Sequence, residues 1–161
     1  MFNIFRKKNE YVINACVNGV LKDIRNVNDI MFAQEIIGRG VAILPSSNQI
    51  VSPVKGKVIM VFPTNHALGI QLENGLELLI HVGIDTVKLK GEGFKNLINE
   101  GQLVEVGQPL INVDFDLVKR NGYSTETLMV ITSPKDSYEI ECSEFNRNIK
   151  ISEIAFKIIK Q

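Results

Sequence analysis

Residues 61–85 read VFPTNHALGIQLENGLELLIHVGID. Two strand-like runs lie in this stretch, on either side of the dipeptide Asn74-Gly75. Asparagine and glycine both tolerate the positive φ that a two-residue type I′ turn needs, so the dipeptide predicts a β-hairpin. The stretch also holds both histidines of the chain, His66 and His81, one on each side of the turn. The sequence therefore predicts two histidines on adjacent antiparallel strands.

The register of this hairpin decides whether the two histidines meet. With the dipeptide at the centre of the turn, Leu68 faces His81, and His66 becomes a diagonal neighbour about 7–8 Å away on the same face. That register sets apolar residues of the first strand against the polar face of the second, and a three-residue loop matches the apolar faces better. A bulge at residues 67–69 reconciles the two patterns, because one extra residue reverses the alternation. We expect such a bulge.

Short β-rich runs punctuated by glycine and proline continue along the chain. They cover residues 40–44, 57–62, 76–82, 103–106, 110–113 and 128–132. Many short strands separated by turn signals are typical of a β-sandwich or barrel, whereas a parallel α/β fold needs long amphipathic helices between its strands. We predict an all-β fold, an antiparallel β-sandwich or barrel with one or two short helical turns. The candidates for those turns are residues 94–99, 117–120 and 29–35.

The length of 161 residues suits one domain with a core of its own. We assign residues 1–14 to a flexible N-terminal tail and residues 15–161 to a single domain. Eighteen Lys and Arg balance eighteen Asp and Glu, so the sequence lacks the excess of positive charge that is typical of a nucleic-acid-binding protein. The start has no apolar run of signal-peptide length, and Cys16 and Cys142 stand far apart, so we expect a cytoplasmic protein.

A pair of facing histidines allows three kinds of site. A neutral imidazole nitrogen can attack phosphorus and form a phosphohistidine, while the second ring donates a hydrogen bond to the phosphoryl oxygens and Thr64 orients that ring. The pair could also bind zinc, with Asp85 as a third ligand. The third alternative is a hydrogen-bonded pair without a chemical role. The spacing of the histidines alone leaves all three open.

The residues around the histidines resemble the glucose-type IIA component of the bacterial phosphoenolpyruvate-dependent sugar phosphotransferase system. The resemblance covers about residues 19–132. It is carried by the blocks PVKGKV (53–58), FPTNHA (62–67), LLIHVGIDTV (78–87), LKGEGF (89–94), EGQ (100–102) and VGQ (106–108). The block around His81 is long and unusual, which makes it the most specific of these. The resemblance implies an antiparallel β-sandwich, in agreement with the fold predicted from the strand pattern.

The resemblance also implies roles for individual residues. It makes His81 the residue that accepts a phosphoryl group from the carrier HPr and donates it to a cysteine of a IIB sugar-specific component. It places His66 beside His81 to support the transfer, and Thr64 against the His66 ring. Asp85 and Gly83 have supporting positions. The implied activity is a phosphotransferase with a phosphohistidine intermediate that needs no cofactor, although zinc could bind incidentally at the two histidines.

A protein that docks on several partners in turn is expected to have an apolar rim around its site. The candidates for this rim are Phe32, Ile36, Ile37, Leu68 and Leu79. Regulation of further proteins through the phosphorylation state is a second possible function. Two other classes fit less well: a biotinyl or lipoyl carrier would need a lysine at the hairpin tip, and a zinc hydrolase would need a glutamate base as in HExxH.

Overall fold

The structure is a computed structural model that describes residues 9–161. Its fourteen strands are β1 (Glu10–Asn14), β2 (Gly19–Lys22), β3 (Arg39–Pro45), β4 (Gln49–Val51), β5 (Gly56–Val61), β6 (Ala67–Leu72), β7 (Glu77–Val82), β8 (Phe94–Asn96), β9 (Leu103–Val104), β10 (Pro109–Val113), β11 (Thr127–Ile131), β12 (Tyr138–Cys142), β13 (Asn148–Ile149) and β14 (Ile154–Lys160). The two α-helices are α1 (Ile30–Ala33) and α2 (Phe115–Arg120). None of the helices within residues 9–161 is long and apolar enough to span a membrane.

The strands form three antiparallel sheets. The large sheet has eight strands in the order β13-β2-β3-β11-β7-β6-β5-β9. The other two have three strands each, in the orders β4-β10-β8 and β1-β14-β12. Across residues 9–161 the large sheet runs from β13 to β9 without closing into a barrel. The predicted all-β, antiparallel fold is confirmed.

The alternation of side chains along β7 separates two apolar clusters. Leu78, Ile80 and Val82 point into the main core between the sheets. Leu79 packs on the smaller cluster at the opposite face, together with residues of α1 and β11. Because successive side chains of a strand point to opposite faces, His81 lies on the same face as Leu79. The candidate site is therefore on the outer face of the large sheet, beside α1.

The predicted hairpin is present, but its loop is one residue longer than expected. Leu72 pairs with Leu76, with 2.8 Å between Leu72 N and Leu76 O, and the Gly75 N–H donates to Leu72 O at 3.0 Å. The loop comprises residues 73–75, with Gly75 in the left-handed region at φ +88, as in hairpins that combine a type I turn with a left-handed residue. The predicted two-residue loop is wrong, and so is the bulge at residues 67–69, because β6 and β7 pair there without a shift.

Two of the three expected helical segments are helical. Residues 29–35 contain α1, and residues 117–120 lie in α2; Asp29 and Asp114 cap these helices by accepting from the Met31 and Leu117 N–H groups. Residues 94–99, in contrast, begin with strand β8, which pairs with β10 in the second sheet.

The expected tail at residues 1–14 is partly wrong. Residues Glu10–Asn14 form β1, which pairs with β14 near the C-terminus, for example Tyr11 with Ile158. The rest of the predicted tail, residues 1–8, lies outside the described residues. The fold thus joins the two ends of the described chain in one small sheet.

Candidate functional site

The rings of His66 and His81 meet edge to face at the surface of the large sheet. Their centroids are 5.0 Å apart and their planes are 85° apart. His81 lies on β7, where it pairs with Ala67 of β6 on one side and with Leu128 of β11 on the other. His66 immediately precedes β6. The structure therefore brings the two histidines together, although the register that was expected to do so is wrong.

A tight turn at residues 62–65 places His66 beside its partner. The Asn65 N–H donates to Phe62 O at 2.8 Å, and Asn65 has a left-handed φ of 60°. Proline at the second position of the turn, here Pro63, and asparagine in a left-handed conformation are both favoured. The Val82 N–H then donates to His66 O at 2.7 Å, which ties the backbone of His66 to β7. This turn brings His66 beside His81, which the bulge at residues 67–69 was expected to do.

A backbone carbonyl fixes the proton of the His81 ring. Nδ1 of His81 lies 2.8 Å from Gly83 O. Because a carbonyl oxygen can only accept, Nδ1 carries the proton, and in the neutral ring Nε2 keeps its lone pair. The Phe32 ring packs against the same imidazole, with centroids 5.1 Å apart and planes 58° apart. His81 thus has a fixed tautomer and a fixed orientation.

Gly83 can make this contact only because it has no side chain. Its φ is +77, in the left-handed region. A Cβ at this position would overlap Thr86 Cγ2 and would lie 2.8 Å from Ser124 O. Any other residue would therefore move the carbonyl that holds His81. The role of Gly83 is specific: it allows the backbone to turn back towards the imidazole.

The second ring is held by a hydroxyl and by an aromatic side chain. Thr64 Oγ1 lies 2.6 Å from His66 Nδ1. The Phe62 ring contacts the imidazole edge to face, with centroids 5.4 Å apart. Only 3% of His66 is exposed to solvent. The Thr64 contact was expected, whereas Phe62 was not singled out from the sequence.

Burial keeps both imidazoles neutral. It lowers the pKa of His66 to about 4, with a further contribution from the neighbouring His81. Burial also lowers the pKa of His81, and three groups partly oppose it: the Gly83 carbonyl, Asp29 and Asp85. At neutral pH both rings can therefore supply one lone pair and one N–H group each.

We expect the free energy of unfolding to fall as pH is lowered from about 6.5 to about 4. Between these values the unfolded chain protonates His66, whereas the folded protein keeps the ring neutral because its pKa is about 4. The unfolded state then binds more protons, so stability decreases with falling pH, by about 3 kcal/mol over this range. Urea unfolding measured between pH 8 and pH 4 tests this, with His66→Gln as the comparison. Equal losses of stability in the two proteins would contradict it.

The other predicted residues are distributed differently around the site. Asp85 is the N-cap residue of the short 3₁₀ helix Thr86–Leu89. It has a left-handed φ of 60°, and its side chain makes no capping hydrogen bond. Ile36 is 53% exposed, and Ile37 and Leu79 are half-buried at the edge of the smaller cluster. These three fit the predicted rim. Phe32 is only 5% exposed, so it lies behind the rim and supports His81.

Leu68 was wrongly assigned to the rim. It is fully buried in the main core and pairs with Ile80, on the face opposite to His81. The one-residue change in the hairpin register explains the error, because it moves every side chain of β6 to the other face. Three exposed apolar residues near the site were not predicted: Ile30 and Met31 of α1, and Val87 of the 3₁₀ helix Thr86–Leu89.

The part of the chain that the structure describes does not add a third metal ligand to the two histidines. Within residues 9–161, no group of three or more His, Cys, Asp or Glu side chains is arranged to hold a metal ion. Cys16 and Cys142 are both free, Cys16 buried and Cys142 exposed. Burial raises the pKa of the Cys16 thiol to about 12, so that it stays protonated. The arrangement is a pair of neutral imidazole rings, each with one lone pair and one N–H group.

Comparison with known proteins places the chain in a known family. A model of the family described as phosphoenolpyruvate-dependent sugar phosphotransferase system, EIIA 1, matches residues 11–137. The chain belongs to this family. EIIA components accept a phosphoryl group from HPr and pass it to a IIB component, which supports sugar uptake, and this phosphotransferase activity is the function of the chain.

Individual relatives extend the match over most of the chain. A glucose-specific EIIA component from Bacillus cereus is 45% identical over 133 residues, 83% of this chain and 81% of the relative. One from Halalkalibacterium halodurans is 48% identical over 77% of this chain and 72% of the relative. The glucose permease IIA from Mycoplasma capricolum has a similar structure, with a TM-score of 0.87 and 32% identity over 95% of this chain and 97% of that one.

The same unit also occurs inside a longer protein. A glucose-specific EIICBA component from Staphylococcus carnosus is 44% identical over 76% of this chain, which corresponds to 18% of that protein. The EIIA unit is therefore found both as a protein of similar length to this chain and within a chain that carries further components. In both settings the family implies contacts with HPr and with a IIB component.

Proposed function

We propose that Nε2 of His81 carries the phosphoryl group. The hydrogen bond between Nδ1 of His81 and Gly83 O supports this, because it leaves the lone pair on Nε2. Nε2 attacks the phosphorus of the HPr phosphohistidine, a new N–P bond forms, and the bonding electrons of the old N–P bond return to the HPr ring. A cysteine thiolate of the IIB component then attacks the same phosphorus, and the His81 ring leaves with its lone pair restored.

His66 is proposed to stabilise the phosphoryl group during both transfers. Its ring edge faces His81, with 5.0 Å between the centroids. When the Thr64 hydroxyl donates to Nδ1, at 2.6 Å, the proton of the neutral His66 ring lies on Nε2. That N–H group is then available to the phosphoryl oxygens as charge builds up on them. Asp85 supports the site by favouring the charged form of the His81 ring.

The partners are proposed to dock on the apolar rim formed by Ile36, Ile37 and Leu79. A rim of this kind suits successive contacts with HPr and a IIB component, because apolar contacts place few demands on the direction of approach. No cofactor is proposed, and incidental zinc at the two histidines and regulation of further proteins remain predictions. We place the reaction in the cytoplasm, where phosphoenolpyruvate, the donor named for the family, is produced.

Incubation with phosphoenolpyruvate, enzyme I and HPr tests this proposal. Intact-mass measurement should show one added phosphoryl group that is labile in acid and stable in base, as expected for phosphohistidine. Subsequent addition of a IIB component should remove it. A reaction without HPr is the control and should leave the mass unchanged. Absence of phosphoryl uptake in the complete mixture would contradict the proposed function.

A further inference from the structure

A buried threonine lies directly behind the two histidines. Thr86 is fully buried, and its hydroxyl donates to Val82 O at 2.5 Å. It is the first residue of the 3₁₀ helix Thr86–Leu89, whose capping residue Asp85 makes no side-chain hydrogen bond to the helix. The Thr86 hydroxyl thus provides the side-chain hydrogen bond that closes the turn between the end of β7 and this helix.

The Val82–Gly83 segment that Thr86 contacts holds the backbone of His66 and the ring of His81. Val82 donates its N–H to His66 O at 2.7 Å, while its carbonyl accepts from Thr86. Gly83 supplies the carbonyl for His81 Nδ1, and the Thr86 methyl occupies the space where a Gly83 side chain would be. Thr86 therefore helps to fix the position of this segment.

Two further hydrogen bonds hold this part of the backbone against residues that immediately precede β11. The Gly83 N–H donates to Glu126 O at 3.0 Å, and the Ile84 N–H donates to Ser124 O at 3.1 Å. The Gly83 N–H shares a planar peptide with the Val82 carbonyl, so Glu126 O and the Thr86 hydroxyl hold the two ends of the same peptide. Displacement of the Val82–Gly83 peptide would move the Gly83 Cα atom and with it the Gly83 carbonyl, because neighbouring peptide planes share a Cα atom.

We propose that Thr86 is a positioning residue for phosphoryl transfer: by holding Val82 and Gly83, it keeps the Gly83 carbonyl on His81 Nδ1 and the reactive lone pair on Nε2. This inference rests on the proposed function of His81. It differs from a role in stability alone because it predicts a change in the proton position of a ring that Thr86 supports only through the backbone.

The test compares Thr86→Val with Thr86→Ser. Valine has the shape of threonine but brings a methyl group to the Val82 carbonyl, so the segment must shift; serine keeps the donor. In the unphosphorylated protein, the ¹⁵N chemical shifts of the imidazole report which nitrogen carries the proton. Thr86→Val should move part of the His81 population to the Nε2–H form. It should also lower the rate of phosphoryl uptake from HPr about tenfold, since small displacements of reacting groups are costly. Thr86→Ser should restore both.

Ser52→Ala is the matched control. Ser52 is also fully buried, and its hydroxyl donates to a backbone carbonyl, that of Val54, at 2.6 Å. Its loss should lower stability without changing the His81 tautomer. If Thr86→Val fails to fold, Thr86→Ala removes the donor without adding bulk and gives the same comparison.

Three results would overturn the role of Thr86: an unchanged tautomer in the valine or alanine variant, an unchanged rate, or a serine variant that behaves like valine. The tautomer is measured before any phosphoryl group is added. A wild-type protein that takes up no phosphoryl group would therefore refute the function of His81, and the tautomer data would still decide whether Thr86 positions the ring.

Discussion

The His81→Gln variant is expected to take up no phosphoryl group from phospho-HPr. Glutamine keeps a polar side chain of similar length, with its amide group near the position of Nε2 of the imidazole. It lacks a nucleophilic nitrogen, because the amide lone pair is delocalised into the carbonyl. The loss should be complete, since no other nucleophile occupies the position of Nε2. Intact-mass measurement after incubation with the relay proteins shows the result directly.

The control for this experiment is His66→Gln, which removes the other histidine and leaves the acceptor in place. It should still gain one phosphoryl group. Thermal unfolding of both variants should show cooperative transitions, which would establish that the missing phosphoryl group in His81→Gln reflects chemistry and not misfolding. A folded His81→Gln protein that becomes phosphorylated would assign the acceptor to another residue.

The second large effect is expected in the transfer from His66→Gln to a IIB component. The variant should pass its phosphoryl group on about 10²- to 10³-fold more slowly than the wild type, a loss typical of removing one donor that stabilises developing negative charge. The rate is measured by mixing the phosphorylated protein with IIB and following the loss of phosphohistidine. Acceptance from HPr, measured on the same sample, separates the role of His66 from that of the acceptor.

Thr64→Val provides a graded comparison. It leaves the His66 ring in place and removes the hydroxyl that lies 2.6 Å from its Nδ1. The ring can then adopt either tautomer, so the transfer to IIB should be slowed by less than in His66→Gln. Transfer rates for His66→Gln equal to those of the wild type would show that the second imidazole has no part in the reaction.

The hairpin illustrates how far local sequence determines the site. Asn74-Gly75 correctly predicted a turn between two strands, because the preference of glycine for positive φ is a local property. It could not distinguish a two-residue from a three-residue loop, since Gly75 is left-handed in both. The apolar alternation favoured the longer loop, and the structure has that loop, with Leu72 paired with Leu76.

The difference of one residue in loop length also determines which face of the sheet each side chain of β6 occupies. With the shorter loop Leu68 would share a face with His81, whereas in the structure it is buried in the core on the other face. The orientation of His66 does not depend on the register of β6, because His66 precedes this strand and follows the left-handed Asn65. The turn at residues 62–65, and not the expected register, brings the two histidines together.

Elements whose partners are distant in sequence were the least predictable. Residues 94–99 have a helix-like pattern, yet β8 forms there because β10 supplies its hydrogen-bonding partners, as in the pair Phe94 and Val113. In the same way, Glu10–Asn14 is a strand through its pairing with β14. Propensity describes a segment alone, and such pairings depend on the rest of the fold.

Contacts made through the backbone were not predictable at all. The Gly83 carbonyl reaches His81 only because Gly83 is left-handed, and Thr86 acts on the same segment through Val82. Phe62 contacts His66 because the turn at residues 62–65 folds it back over the ring. A sequence motif can indicate that such residues occur together, but it does not show which atoms meet.

The most direct test of the account is to locate the phosphorus on the imidazole. Nuclear magnetic resonance of ¹⁵N-histidine-labelled protein, phosphorylated through HPr, shows which ring nitrogen is bonded to phosphorus. The expected result is a single bond at Nε2 of His81, with the His81 Nδ1 proton retained towards Gly83 O. A phosphorus bonded to Nδ1 of His81, or to either nitrogen of His66, would contradict it.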